Sequence, residues 1–213
     1  MLVRDRMSRS VITTDRHCPT QEAGSVLHRH RIHQLPVLQD DRVVGIVTDR
    51  DLRSAPTTAR TVADIMTVKP TIIGPDAPID AAAYLLRRKN IGALPVVDDG
   101  KLIGILSRSD VLDAFVDLSG VAEHTYHVTL AALDGTDVAP RVRRIIEKER
   151  GELKWLHCRK QRGQTLVHLR LKAERIDDVV TEFEAAGFEV GALVAPTTKA
   201  PPRTRNGHPP KPR

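Results

Sequence analysis

Apolar residues follow one succession that occurs twice in the first half of the chain. A short run at 11–14, and again at 71–73, reads as a strand. A helical stripe comes next: Ala23, Val26 and Leu27 in one case, Ile79, Ala82, Ala83, Leu85 and Leu86 in the other, at the i, i+3, i+4 spacing of a single helix face. Pro19 and Pro78 stand near the helix starts, where a missing N–H costs nothing. Two more apolar runs follow, at 35–38 and 43–47 or at 94–97 and 102–106. They are separated by Gln39-Asp40-Asp41-Arg42 or Asp98-Asp99-Gly100, the polar links of a hairpin. A further helix is predicted after Thr48 and after Ser107. The pattern therefore predicts strand, helix, strand, strand, helix, twice over.

A shift of 59 positions, without a gap, superposes the two copies. It aligns Met7 with Met66, Pro19 with Pro78, Leu27 with Leu86, Pro36 with Pro95, Gly45 with Gly104 and Asp51 with Asp110. A match of that length in register is a tandem duplication. Each copy, at 1–58 and 59–118, is too small to bury a comfortable core alone, so the two are expected to pack as a pseudo-twofold pair.

After a linker at 119–124 the pattern changes. Tyr126, Val128 and Leu130 alternate as a strand, and Val138, Val142, Ile145 and Ile146 form a helix stripe ended by Gly151 at the place of a C-cap glycine. Runs at 153–159 and 165–171 read as strands. Ile176, Val179, Val180 and Phe183 make a second stripe, and 188–194 a last strand. The order βαββαβ over 125–195 is the ferredoxin-like arrangement. The fold class is mixed α/β, of the α+β kind.

Composition narrows the function. Aromatic residues make up 3% of the 213, so the core must be aliphatic. The net charge of +6 is concentrated in residues 196–213, which hold five basic residues and no acidic one, so the rest of the chain is close to neutral. That basic, proline-rich tail is expected to be disordered. It is also the one segment through which contact with nucleic acid or an acidic partner is foreseen. No long apolar segment or apolar leader is evident, and a cytoplasmic location without membrane contact is expected. Cys18 and Cys158 are too few for a disulfide framework or a cysteine zinc site. His28, His30 and His33 lack a completing acid or cysteine, and His28 and His30 do not share a helix face, so no metal is expected. Asp40-Asp41 and Asp98-Asp99 read as turn residues rather than an acid–base pair, and no nucleophile with a partner base is evident. An enzyme is not indicated.

The remaining candidates are Thr48-x-x-Asp51 and Ser107-x-x-Asp110. A hydroxyl residue and an acid three positions apart at a helix start form a capping box, and that alone accounts for both. The same geometry suits a phosphate at free backbone N–H groups, with the aspartate accepting from ribose hydroxyls. Gly45 and Gly104 would then let the backbone approach a ligand.

These loops, together with Ile32-His33-Gln34-Leu35-Pro36-Val37 and Ile91-Gly92-Ala93-Leu94-Pro95-Val96, resemble a tandem cystathionine-β-synthase (CBS) domain pair, or Bateman module. The resemblance implies an adenine nucleotide (AMP, ADP or ATP) as regulatory ligand rather than cofactor, held by Thr48, Asp51, Ser107 and Asp110. The adenine would lie near Ile12 and Thr13 or Ile72 and Ile73, with His33, Pro36 and Pro95 beside it. Many nucleotide-binding members have His-Arg where this chain has His33-Gln34 and Gly92-Ala93, so Arg50 and Arg108 are the substitute phosphate contacts. The resemblance also implies a homodimer of CBS pairs. The domain at 125–195 is similar to the ACT-type domain of acetoin-utilisation-like CBS proteins, with Leu133-Asp134-Gly135-Thr136 as a partial turn match. The expected function is a non-catalytic sensor acting on an unknown effector protein. The alternatives are a ligand-free CBS scaffold and a regulator working through its basic tail.

Overall fold

A computed structural model describes residues 1–132, 137–161 and 163–196, so Leu133-Asp134-Gly135-Thr136 and nearly all of the basic tail lie outside the described residues. Two compact units are present, Met1–Ala114 and a second beginning at Phe115.

The first unit runs β1 (Thr14–Asp15), α1 (Thr20–His30), β2 (Gln34–Gln39), β3 (Arg42–Thr48), α2 (Asp49–Arg53), β4 (Thr67–Val68), α3 (Ile79–Arg88), β5 (Ala93–Asp98) and β6 (Lys101–Ser107), and enters α4 (Arg108–Ser119). The runs predicted at 11–14 and 71–73 are shorter as strands than expected. β1 pairs in parallel with β2 through two residues, and its counterpart is a single bridge between Ile73 and Val96. Both hairpins close in two residues. Asp40 and Asp41 have φ of 51° and 61°, and Asp99 and Gly100 47° and 79°. These are the left-handed pairs that match the strand twist, and aspartate tolerates that region better than most side chains.

The cores do not follow the repeat as it is written in sequence. Val3 and Met7 pack with Ile73, Ile79, Leu86, Leu94 and Leu106 of the second copy, whereas Val62 packs with Ala23, Leu27, Leu35 and Val47 of the first. Backbone bonds fix this exchange: Val3 N–H to Ala77 (2.9 Å) and Arg4 N–H to Pro75 (3.0 Å) on one side, Val62 N–H to Cys18 (2.9 Å) and Ala63 N–H to Arg16 (2.8 Å) on the other. Each copy lends its leading segment to its neighbour.

The glycines of the two apolar runs make that exchange possible. A Cβ at position 45 would fall 2.5 Å from Met66 Sδ and 3.3 Å from the Thr67 carbonyl oxygen. One at position 104 would fall 2.5 Å from Met7 Sδ and 3.1 Å from that of Ser8. The close approach that requires glycine is thus to the exchanged methionine and its strand, not to a ligand.

The second unit runs β7 (Tyr126–Ala132), α5 (Val138–Lys148), β8 (Glu152–Gln161), β9 (Gln164–Lys172), α6 (Ile176–Ala185) and β10 (Glu189–Val194), the βαββαβ order read from the sequence. The strands form one antiparallel sheet ordered β10-β7-β9-β8. Both helices cover one face, burying Val128, Leu130, Val142, Ile146, Val167, Leu169 and Phe183, with Phe188 edge-on to Phe183. At the end of α5 the left-handed residue is Arg150 (φ 55°), not Gly151. Gly151 instead fills a tight spot: a Cβ there would lie 2.9 Å from Ile146 Cγ2.

Candidate functional site

Where β3 runs into α2, Thr48 has extended backbone and caps the helix. Its N–H and hydroxyl donate to Asp51 Oδ2 (2.8 and 2.7 Å), and the Asp51 N–H returns a bond to Thr48 Oγ1 (3.2 Å). Ser107 and Asp110 repeat this geometry at 2.7, 2.6 and 3.3 Å. Both pairs are therefore capping boxes. Most of the backbone donors at these helix starts are also engaged, since Asp49 N–H bonds the His33 carbonyl (3.0 Å) and Arg108 N–H the Gly92 carbonyl (3.1 Å). An open cradle of backbone N–H groups is accordingly not what these loops offer an anion.

What the first unit does offer is a cleft of about 440 Å³. One wall is His33, Gln34 and the loop from Thr48 to Asp51. A second is Thr67, Lys69, Pro70 and Thr71, and a third is Asn90, Ile91, Gly92 and Ala93 with Arg108. The volume falls in the range of small-molecule sites. Gly92 has a direct role, since a Cβ there would lie 2.7 Å from Gln34 Oε1. A side chain at 92 would displace Gln34.

The charges in the cleft are unequally committed. Asp49 is paired with Arg53 (3.1 Å) and faces His33 (3.5 Å), and Asp51 Oδ2 is held in the cap. Arg108 is tethered through Nε to the Ile91 carbonyl (2.8 Å) and through Nη2 to Asn90 Oδ1 (3.0 Å). The side chains of Arg50 and Lys69 form no hydrogen bond or ion pair with the described residues. These two uncommitted cations suit an anionic ligand, while Thr71, Asn90 and Gln34 supply neutral donors and acceptors.

Of the residues expected at the site, the structure brings His33, Thr48, Arg50, Asp51 and Arg108 together around this cleft. The others lie elsewhere. Ser107 and Asp110 occupy the equivalent cap and do not line it. Ile73 is 8% exposed in the core, held there by bonds to the Pro95 carbonyl (3.1 Å) and from Val97 N–H (2.9 Å), and Ile72 is 47% exposed beyond the wall. Ile12 packs against the first core, and Thr13 lines a separate hollow with Arg9 and Lys101. Pro36 and Pro95 are buried within their hairpins. Lys69, Thr71 and Asn90 escaped the sequence reading because the repeat aligns Lys69 with Ser10, Thr71 with Ile12 and Asn90 with Arg31, unlike residues that form no pattern.

A duplicated strand–helix–hairpin–helix unit with exchanged leading segments and a polar cleft defines a class of tandem-repeat domain. A sequence profile of the CBS domain matches residues 3–57 and 62–117, just over half of the chain. The chain belongs to the CBS domain family and carries two copies of it. A CBS domain-containing protein of Dictyostelium discoideum is 36% identical over 133 residues, covering 54% of this chain and 92% of its own length. Among solved structures, the CBS domain pair of MJ0100 in complex with 5′-methylthioadenosine and S-adenosyl-L-methionine is 32% identical (TM-score 0.52), covering 54% of this chain and 95% of its own. CBSX2 of Arabidopsis thaliana in complex with AMP is 32% identical (TM-score 0.51; 54% and 96%). AcuB of Vibrio cholerae is 26% identical (TM-score 0.53; 58% and 96%). Inosine-5′-monophosphate dehydrogenase of Korarchaeum cryptofilum also matches, at 38% identity, but over 22% of its length. Among the described residues no helix is long and apolar enough to cross a membrane.

Proposed function

We propose that the chain is a non-catalytic regulatory protein whose first unit binds an adenine nucleotide. The observation that carries this reading is the cleft of about 440 Å³ in which Arg50 and Lys69 stand uncommitted beside Thr48 and Asp51. Its support by likeness is that related CBS pairs were solved with AMP and with S-adenosyl-L-methionine. In this reading the phosphate meets Arg50 and Lys69, and the free Oδ1 of Asp51 accepts from the ribose. The nucleotide is a ligand and not a cofactor. It shifts the packing of the pair only as far as its affinities for the two states differ. The second unit, with its βαββαβ order and 4-1-3-2 strand order, reads as a ferredoxin-like, ACT-like domain that relays the change to an effector protein. CBS pairs associate as a homodimer in this reading.

Calorimetric titration with AMP, ADP, ATP and S-adenosyl-L-methionine tests it, using wild type, Arg50→Ala and Lys69→Ala. Binding weakened by both substitutions is expected, and a signal unchanged by either would remove the cleft as the site. The second reading, a ligand-free scaffold, draws on the fact that both hydroxyl–aspartate pairs are satisfied by their own caps. Unchanged melting in millimolar adenine nucleotide would favour it.

A further inference from the structure

The sheet of the second unit has one face under its helices, and the residues on its other face form a register-matched grid. In one row His127, Arg170 and Trp155 lie side by side on β7, β9 and β8. In the next row Thr129, His168 and His157 do so, and in the third Ala131, Leu166 and Arg159. Trp155 and His157 stack at 6.0 Å with 16° between planes, and His127 and His168 at 6.1 Å with 21°. Four π surfaces therefore spread over three adjacent strands, one pair along β8 and one diagonal across β7 and β9, with Arg170 between His127 and Trp155 and Arg159 at the far end of the tryptophan column. The rows are about 6.8 Å apart, two residues along an antiparallel strand.

Charge on this face has one sign over most of its extent. Arg159 forms no ion pair with the described residues, and Arg170 donates only to the neutral Thr125 hydroxyl (3.3 Å). The acids are peripheral: Glu152 is paired with Lys154, Glu123 with Lys154 and Lys172, and Glu189 sits on the edge strand beside Ala131. Burial, reinforced by the charges of Arg170 and His168, holds His127 below the ordinary imidazole value, so it is a neutral ring at pH 7.

We propose that this open sheet face binds a short single-stranded nucleic acid, with bases stacked on Trp155, His157 and the His127–His168 pair and phosphates on Arg159 and Arg170. Stacking platforms flanked by cations bind single strands with little sequence preference, and a four-stranded sheet presenting rings on adjacent strands is an established way to build one. A duplex hides its base faces and cannot use the rings. The inference is independent of the nucleotide cleft and of the basic tail.

Trp155 is the sole tryptophan, so its fluorescence reports the event directly. The full chain is titrated with a twelve-nucleotide oligouridylate, with the same length of duplex RNA, and with polyglutamate. Saturable quenching by the single strand is expected, with the duplex and polyglutamate at least roughly tenfold weaker. The association constant should fall with salt at a log–log slope of about −1.4 for two phosphate contacts. The Arg159→Ala/Arg170→Ala variant should flatten that slope. Trp155→Ala, read by anisotropy of a labelled strand, should weaken binding roughly 5- to 150-fold. Trp155→Phe, which keeps a ring, should hold affinity within about threefold, so misfolding of the alanine variant does not decide the outcome. Deleting residues 197–213 should leave quenching intact. Absent quenching, equal binding of duplex or polyglutamate, indifference to both arginines, or loss of binding with the tail would each overturn the proposal.

Discussion

Replacing Asp51 by alanine, and separately Asp110, distinguishes a helix cap from a ligand contact inside one molecule. Each aspartate accepts two bonds through Oδ2, at 2.8 and 2.7 Å for Asp51 and at 2.7 and 2.6 Å for Asp110. Each substitution therefore removes the same half of a capping box, at a cost of about 1 kcal/mol. In a unit of this size that lowers the melting temperature by roughly 4 °C, and by similar amounts in the two variants. Affinity for AMP should separate them, because Asp51 lines the cleft and Asp110 does not. Loss of one charge-assisted hydrogen bond, about 1.5–3 kcal/mol, predicts a roughly 10- to 150-fold weaker dissociation constant for Asp51→Ala. For Asp110→Ala the constant should stay within about threefold of wild type. Calorimetric titration and thermal unfolding on the same preparations supply both numbers. Equal loss of affinity in the two variants would mean that cap integrity sustains binding, and an unchanged affinity in Asp51→Ala would refute the ribose contact.

Three further outcomes are expected. Gly104→Ala should destabilise the first unit by about 1–3 kcal/mol through overpacking on Met7, and Met7→Ala by about 2–5 kcal/mol. The double variant should be more stable than the sum of the two in urea unfolding followed by circular dichroism, whereas strict additivity would exclude the Met7 contact as the cause. Phe183→Ala, in the core of the second unit, should cost about 3–5 kcal/mol, visible in Trp155 fluorescence; a loss below about 1 kcal/mol would contradict its burial. His127 is held below 6.5 by burial first, then by Arg170 and His168, so the unfolded chain takes up its proton more readily. The second unit should therefore lose stability as pH falls from about 6.5 through the folded-state value, with no contribution from this group above 6.5. His127→Gln should flatten that part of the profile, and an identical slope in the variant would clear His127 of the effect.

Local signals were legible in the chain. The two polar hairpin links, the hydroxyl–aspartate caps and the βαββαβ order each depend on neighbours within a few residues, and each is present, the links closing more tightly than read, on Asp40-Asp41 and Asp99-Gly100 alone. Signals that depend on distant packing were not. Nothing in the spacing of Met7 or Met66 says that each will lie against a glycine of the other copy's hairpin. The same blindness put the glycines beside a ligand and placed Ile72 and Ile73 at a cleft that Lys69 and Thr71 line instead. Lys69 itself turns the chain with φ of 48°, a left-handed conformation that lysine does not announce. Arg50, a substitute phosphate contact by sequence, is uncommitted in the cleft. Arg108, its equal in sequence, is spent on Asn90 and Ile91, because only the fold reveals what a long side chain can reach.

The exchange of leading segments also orders events at the ribosome. Residues enter the cell from the N-terminus, at about 5–20 per second, and most segments can settle against what precedes them. Val3 and Met7 cannot, since the hairpin that receives them ends around Leu106, about a hundred residues later. For roughly 5 to 20 s they have no native place to go. The first copy waits less, needing only Val62 and Met66 to emerge. The segment holding Val3 and Met7 is thus made well before the core that seats it.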